Sequence, residues 1–458
     1  MNDELRVKNN ELGGKMDYRY RNDEEMKDSG VEWIGKIPKK WSRVRVGHLC
    51  EIGRGRVISS EEIMDNTGLY PVYSSQTKDN GVMGYINTYD FQGEYVTWTT
   101  DGANAGTVFK RNGKFNCTNV CGTLKNRSNE LDLSFLAYAL SIETKPYVRL
   151  DINPKLMNNE MSNIKVCITK NYEQRKIAKF LDEKTAQFDS IISKKEALIE
   201  KLEEAKKSLI NEVVTGKVKV VKTNDGYELV ERKKEEMKDS GVEWLGDIPK
   251  EWDLKRSNYV FKFSKGLSIT KENLQDEGIP CINYGEIHSK YGFEVNPKRH
   301  KLKCVTEEYF NSNPNALIKY GHFVFADTSE DIQGCGNFSY LNAEDSIFAG
   351  YHTIIVRPIK TVSSRYLAYL FDSDDWRIQI RTKVSGIKVF SITQSILKTT
   401  KVILPTLSEQ KLIVDYLDNK FVNINSMINN MKKQIEKLKE AKQSLISEAV
   451  TGKIEILD

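Results

Sequence analysis

The sequence predicts two α/β (mixed α+β) globular domains, each followed by a long α-helix, arranged as a pseudo-twofold internal repeat. Three observations predict it. Residues 26–41, MKDSGVEWIGKIPKKW, return as residues 237–252, MKDSGVEWLGDIPKEW, with 13 of 16 positions identical. Residues 173–218 return as 409–454 with 23 of 46 identical. The segments between these blocks, 42–172 and 253–408, differ in kind: short β-branched and aromatic runs such as Tyr70–Ser75 and Glu94–Thr100 are broken by Gly, Asn and Asp, the pattern of strands and turns. The order is head, variable domain, arm, linker, head, variable domain, arm.

Taken in order, residues 1–25 are charged and low in large apolar residues, which predicts a disordered tail. Residues 26–172 form the first head with its domain. In the arm, 173–218, apolar residues fall in alternating steps of four and three: Ile177, Leu181, Phe188, Ile191, Leu198, Leu202, Ala205 and Leu209, with Lys184 and Lys195 interrupting. That is a heptad seam. Residues 219–236 are a charged connector, expected to be a hinge, and 237–408 are the second head and domain. In the second arm, 409–458, the same register reads Ile413, Leu417, Lys420, Ile424, Met427, Met431, Gln434, Leu438, Ala441 and Leu445. Thr406 with Glu409 predicts a capping box, and Gly216 and Gly452 stand where a left-handed residue ends a helix. A helix over 173–214 would be about 60 Å long at 1.5 Å per residue, so its seam needs an equally long partner, and the other arm supplies one. Weak landmarks recur between the domains: Phe135-Leu-Ala-Tyr138 with Tyr366-Leu-Ala-Tyr369, and Trp98-Thr-Thr-Asp101 with Phe325-Ala-Asp327.

The 458 residues carry 69 Lys and Arg against 64 Asp and Glu, a net charge of +5, which excludes a histone-like binder. No apolar stretch reaches the roughly 18 residues of a membrane helix, and seven scattered cysteines are no disulfide framework, so a soluble cytoplasmic protein with reduced thiols and no membrane contact is expected. Catalytic signatures are missing. Gly30–Ile37 resembles a phosphate loop only superficially, since Ile37 stands where Ser or Thr should be and Asp247 replaces the lysine in the second copy. Asn153-Pro154, Asn296-Pro297 and Asn313-Pro314 each lack the second proline of an adenine methyltransferase loop, and the five histidines and Cys117 with Cys121 form no metal-ligand pattern. No catalytic residue, cofactor site or metal site can be named.

The duplicated DSGVEW head, the duplicated EQ..I...LD arm opening and the KSLINEVVTGK and QSLISEAVTGK arm endings together resemble the specificity subunit of a type I restriction-modification system, over about residues 26–456. Ile403-Leu-Pro405 leading to Ser408-Glu-Gln matches that family's approach to the arm, whereas Val166–Tyr172 lacks the proline. The resemblance implies a non-catalytic DNA reader. Each variable segment would be a target-recognition domain, and the two arms an antiparallel coiled-coil spacer between them. The partners would be double-stranded DNA, two modification (methyltransferase) subunits that use S-adenosylmethionine, and restriction subunits that use ATP and Mg. Two diverged domains on a rod should read a bipartite, asymmetric target, and near-identical heads and arms should dock two copies of one partner. A coiled-coil scaffold without sequence-specific DNA binding is the alternative.

Major-groove readout calls for Arg or Lys, Asn or Gln, and Ser or Thr on outward loops. In the first domain the candidates are Ser74, Ser75, Gln76, Lys78, Thr99, Thr100, Asp101, Asn104, Lys110 and Arg111. In the second they are Asn283, Tyr284, Asp327, Thr328, Ser329, Lys383, Ser385, Lys388 and Phe390. The repeated pairs Trp33/Trp41 and Trp244/Trp252 are expected to pack the heads against domain or arm, because readout residues should differ between the domains.

Overall fold

A computed structural model describes residues 18–150 and 153–457. The chain divides into two units, residues 1–196 with 432–458, and residues 197–431.

The first unit holds two four-stranded sheets. In one, Val108–Arg111, Tyr95–Thr99, Cys121–Asn126 and Cys50–Arg54 lie side by side, all antiparallel. In the other the order is Val82–Ile86, Thr67–Tyr73, Lys114–Cys117 and Phe91–Gln92, with Thr67–Tyr73 parallel to Lys114–Cys117. Trp98 anchors the first sheet: it is fully buried, its indole N–H donates to Leu156 O at 2.8 Å, and a Cβ on the facing Gly122 would lie 2.2 Å from its ring. Helix Leu133–Glu143, capped by Asp132, packs on this core through Phe135, Leu136 and Leu140.

The second unit repeats that topology strand for strand. Phe338–Leu341, Phe323–Ala326, Thr353–Pro358 and Phe261–Lys265 form the antiparallel set, and Lys303–Val305, Ile279–Ile282, Ile347–Ala349 and Leu317–Ile318 the mixed one. The longer second domain adds helix Tyr284–Ser289 and a fifth strand, Phe293–Val295, parallel to Phe338–Leu341. The sequence landmarks mark equivalent joints. Tyr138 of the first LAY motif donates to Asp182 of the arm at 2.7 Å, and Tyr369 of the second hydrogen-bonds Asp418.

Both arms are single helices, Asn171–Val214 and Leu407–Val450. In the first unit Asp189 pairs with Lys442 at 2.7 Å and Lys195 with Gln434 at 2.7 Å, so the paired residue numbers rise on one helix and fall on the other, which makes the pairing antiparallel. Lys195 and Gln434, which interrupt the two seams, therefore answer each other. One row of each seam is displaced from expectation. Leu198 is 47% exposed and Met427 53% exposed, while Ile192, Ile210, Phe421, Ile428 and Ile435 are buried. A 3.5-residue period fits two adjacent rows equally, and only the facing surface selects between them.

The helix ends follow the caps. Thr406 accepts from the Glu409 N–H at 3.3 Å, and Gly216 and Gly452 take φ of +78° and +70°. These glycines have a second role. A Cβ on Gly216 would lie 2.5 Å from Pro249 and 2.9 Å from Trp252, and one on Gly452 would lie 2.5 Å from Pro38 and 3.1 Å from Trp41. Each head therefore sits on the end of the other copy's arm. Trp41 and Trp252 are buried as expected, but Trp33 is 54% exposed and touches its domain only at its edge, with Tyr147 and with Glu143 at 3.5 Å.

Two expectations need correction. Residues 219–236 are no hinge: Val218–Thr223 and Gly226–Glu231 form an antiparallel hairpin, and Arg232 ion-pairs with Glu409 at 3.0 Å. Residues 18–25 are not disordered either, because Tyr18–Tyr20 pairs with Ile454–Ile456 and Arg21 bonds Glu173 at 2.8 Å, the counterpart of Arg232 with Glu409. The hairpin is held by its own local strand pairing and tied to the arm through Arg232, and Tyr18–Arg21 is ordered by partners remote in sequence, none of which composition reveals. Residues 1–17 of the predicted tail lie outside the described residues.

Candidate nucleic-acid interface

In the first domain three loops meet beyond the ends of Thr67–Tyr73 and Tyr95–Thr99. Ser74 N–H donates to Gly81 O at 2.9 Å, which closes the turn that carries Ser75, Gln76 and Lys78. Asn104 reaches across from the neighbouring turn and donates its amide to Ser75 O at 3.0 Å, and Thr118 donates its hydroxyl to Ser74 Oγ at 3.2 Å. The 99–106 segment is a tight turn: Gly106 N–H donates to Thr99 O at 2.8 Å, and Gly102 and Gly106 have φ of +90° and +84°. Asp101 stands at its start with Lys155 4.0 Å away.

The structure therefore brings Ser74, Ser75, Gln76, Lys78, Asp101 and Asn104 together and separates four other candidates from them. Thr99 and Thr100 are buried in the strand end. Lys110 lies at the far end of its strand and hydrogen-bonds Ser134 at the start of the helix. Arg111 is 3% exposed and is not a surface contact. Its guanidinium stacks 3.6 Å from the Tyr73 ring centroid, donates to Asn80 O at 2.8 Å and Thr97 Oγ1 at 3.1 Å, and so braces the 74–81 turn from behind. Burial pulls its pKa below the usual arginine value, but a guanidinium starts so high that it stays charged. The strand pattern that carries Arg111 also points it inward, a fact that loop-hunting by residue type overlooks.

In the second domain the equivalent loops meet around Asp327. Its N–H donates to His352 O at 3.1 Å and its O accepts from Ile392 N–H at 2.7 Å. Thr328–Ser329 pairs with Phe390–Ser391, which places Phe390 opposite Ser329 and Ser391 opposite Thr328 and leaves Ser385 and Lys388 on a projecting loop whose Ile387 is 97% exposed. Tyr284 packs edge-on against Tyr351 and His352, with ring centroids 5.7 and 5.2 Å apart. Three candidates serve the framework instead. Asn283 is buried and its Oδ1 accepts from Tyr351 N–H at 3.2 Å, Ser329 is buried and donates to Asp331 O at 2.8 Å, and Lys383 turns back to donate to Thr399 at 2.9 Å.

Tyr351, His352 and His288 escaped the sequence reading. The His288 ring bonds Thr328 O through Nε2 at 2.8 Å and the Asn337 amide through Nδ1 at 2.9 Å, and so holds the site from below. The signal available was the recurring Trp98-Thr-Thr-Asp101 and Phe325-Ala-Asp327 landmark, which marks one strand end but not the strand that faces it. The backbone frame is shared, since Thr100 N–H donates to Val120 O as Asp327 N–H does to His352 O. The side chains on it are not. Among the described residues no cluster of His, Cys, Asp or Glu could hold a metal ion, the seven cysteines are buried and free, and no helix is long and apolar enough to cross a membrane. The arrangement can present hydrogen-bonding edges to a ligand.

Comparison with known proteins agrees with this geometry. A chain of Mycoplasma pneumoniae provisionally described as the N-terminus of a type I specificity subunit is 50% identical over 139 residues, 30% of this chain and 74% of that one. The specificity subunit of the type I restriction enzyme MjaVIII of Methanocaldococcus jannaschii is 24% identical over 441 residues, 92% of this chain and 94% of that one. A solved structure from work on assembly and conformational transition of a type I restriction-modification system shares the fold at a TM-score of 0.62 and 14% identity, covering 91% of this chain and 99% of that one. The model of the type I restriction modification DNA specificity domain matches twice, over residues 38–204 and 249–437, each match joining one variable domain to its arm, and the chain belongs to that family of DNA specificity proteins.

Proposed function

We propose that this chain gives a type I restriction-modification complex its DNA target. Each domain reads one half of a bipartite, asymmetric sequence in the major groove, the paired arms set the unread gap, and the repeated heads and arms dock two methyltransferase subunits, with restriction subunits joining the larger assembly. The chain itself is non-catalytic and binds no cofactor, and the S-adenosylmethionine, ATP and Mg chemistry belongs to its partners.

One observation carries the reading: two domains that share the order of eight strands differ in the side chains of the loops that meet at equivalent strand ends, Ser75, Gln76 and Asn104 in one, Tyr284, Asp327 and Phe390 in the other. Divergence at the presented edge of a retained frame is what two different half-sites require. Two helices of 44 residues, about 66 Å each at 1.5 Å per residue, support the spacer role. The test is single-molecule sequencing of methyladenine in cells that carry this gene and its methyltransferase gene, with and without this gene. A bipartite methylated motif that vanishes on deletion supports the reading. No difference, with both proteins expressed, overturns it in favour of a scaffold.

A further inference from the structure

We infer that Asp327 is a specificity-determining residue of the second domain, reading an exocyclic amino group on one base of its half-site, and that His352 is the positioning residue that aims it. The inference rests on the DNA-reading function proposed above and narrows it to one atom group.

The main chain of Asp327 is held from both sides by His352 O and Ile392 N–H, so the side chain leaves the frame from a fixed origin. Among the described residues its hydrogen-bond partner is His352, whose Nδ1 donates to Oδ1 at 3.1 Å. The pair stands in the open, with side-chain exposures of 33% for Asp327 and 56% for His352. His352 has φ of +53°, a conformation that glycine would adopt without strain, so an imidazole kept there marks a need for the side chain. Tyr284 supports the ring edge-on.

A carboxylate only accepts hydrogen bonds. In the major groove, amino donors are offered by adenine N6 and cytosine N4, whereas guanine O6 and N7 and thymine O4 are acceptors that would face the carboxylate lone pair to lone pair. Asp327 therefore selects adenine or cytosine at one position and rejects guanine and thymine. The His352 bond occupies Oδ1 and leaves Oδ2 to the base. The device belongs to this domain alone: at the equivalent joint of the first domain the residues are Thr100, which is buried, and Val120. A half-site reader should differ in just this way.

The test uses the full chain assembled with its methyltransferase subunits and selects bound duplexes from a library randomised in both half-sites. Asp327→Asn keeps the shape and adds a donor, so preference at one position of the second half-site should change by about 5- to 150-fold, the range of one good base contact, with the first half-site unchanged. His352→Ala should weaken preference at that same position, and His352→Asn, which tolerates the left-handed backbone and can donate to Oδ1, should restore it. A merely structural role would shift the melting temperature or lower every position evenly and would move no single base preference. If Asp327→Asn melts abnormally, Asp327→Ser takes its place. Unchanged preference throughout the second half-site overturns the inference. Absence of any preference in the unmodified complex would overturn the DNA-reading function itself, a separate and distinguishable result.

Discussion

Trp252 donates its indole N–H to Glu409 at 2.9 Å, and the other oxygen of that carboxylate takes Arg232 at 3.0 Å. One glutamate of the second arm thus ties together the head, the hairpin that precedes it and the helix it begins. The same carboxylate also accepts from the Thr406 hydroxyl at 3.4 Å, while Thr406 Oγ1 caps the helix by accepting from the Glu409 N–H at 3.3 Å. Arg232 is almost fully buried, so Glu409 is its charge partner in a place water hardly reaches.

Glu409→Ala should destabilise the second unit by about 2 to 4 kcal/mol, because it leaves that guanidinium buried without a counter-charge. Glu409→Gln, which can still accept from Trp252, should cost less. Equilibrium urea unfolding of the full chain checks both, and equal effects of the two variants would contradict the charge argument.

The arm-end glycines should be intolerant for two separate reasons. Gly216→Ala and Gly452→Ala each force a left-handed alanine and press Cβ to 2.5 Å from a proline, so each should cost at least about 2 kcal/mol. Gly30→Ala is the control: φ is +73° but nothing lies within 4 Å, and only the backbone cost of about 1 kcal/mol should appear. Thermal melting of the three variants separates strain from collision.

Arg111→Met should loosen the 74–81 turn without removing a base contact. The expected result is the same preferred bases at the first half-site with a smaller margin, and an unaffected second half-site, read by the same library selection. A switched base preference would mean that Arg111 reaches DNA despite its burial.

Acid should destabilise the second unit through His322. Burial, with Arg357 and Lys319 nearby, lowers its pKa to about 4, and its Nδ1 accepts from the Lys319 N–H at 3.2 Å, a bond that protonation breaks. The folded value lies below the unfolded 6.5, so the unfolded chain binds the extra proton first. The stability this neutral ring contributes is complete above about pH 6.5, falls as pH drops towards 4 and is gone below it. His322→Gln should flatten that segment of a stability-against-pH curve measured by urea unfolding, and an unchanged slope would refute the assignment.

Exchange of residues 42–172 for another recognition domain should change one half of the methylated motif and leave the other. Insertion of one heptad in both arms should lengthen the unread gap by the rise of two helical turns, about 10 Å or three base pairs. Methylome sequencing reads both, and an altered second half-site or an unchanged gap would defeat the modular reading.

The architecture was legible because repetition is a one-dimensional signal. The heads, the arms, the helix-ending glycines and the Thr406 cap could all be found by aligning the chain with itself, and local chemistry then dictates what those residues do. Which row of each seam faces inward could not be found that way, since Met427 and Ile428 satisfy the same period and only the facing helix distinguishes them. The strand at Tyr18–Tyr20 was hidden because its partner, Ile454–Ile456, lies at the far end of the sequence, and the hairpin at 218–231, which pairs with itself across a local turn, was hidden by its charged composition. The candidate site divides along the same line. Residue type picked out Ser75, Asn104, Tyr284 and Asp327, which the fold gathers at two loop clusters, but it also picked out Arg111 and Asn283, which the fold turns inward, and it passed over His352. Composition and periodicity determine which elements this chain makes and how often. The direction in which a strand-end side chain points, and what stands opposite it, depends on backbone partners remote in sequence, and only the tertiary structure decides that.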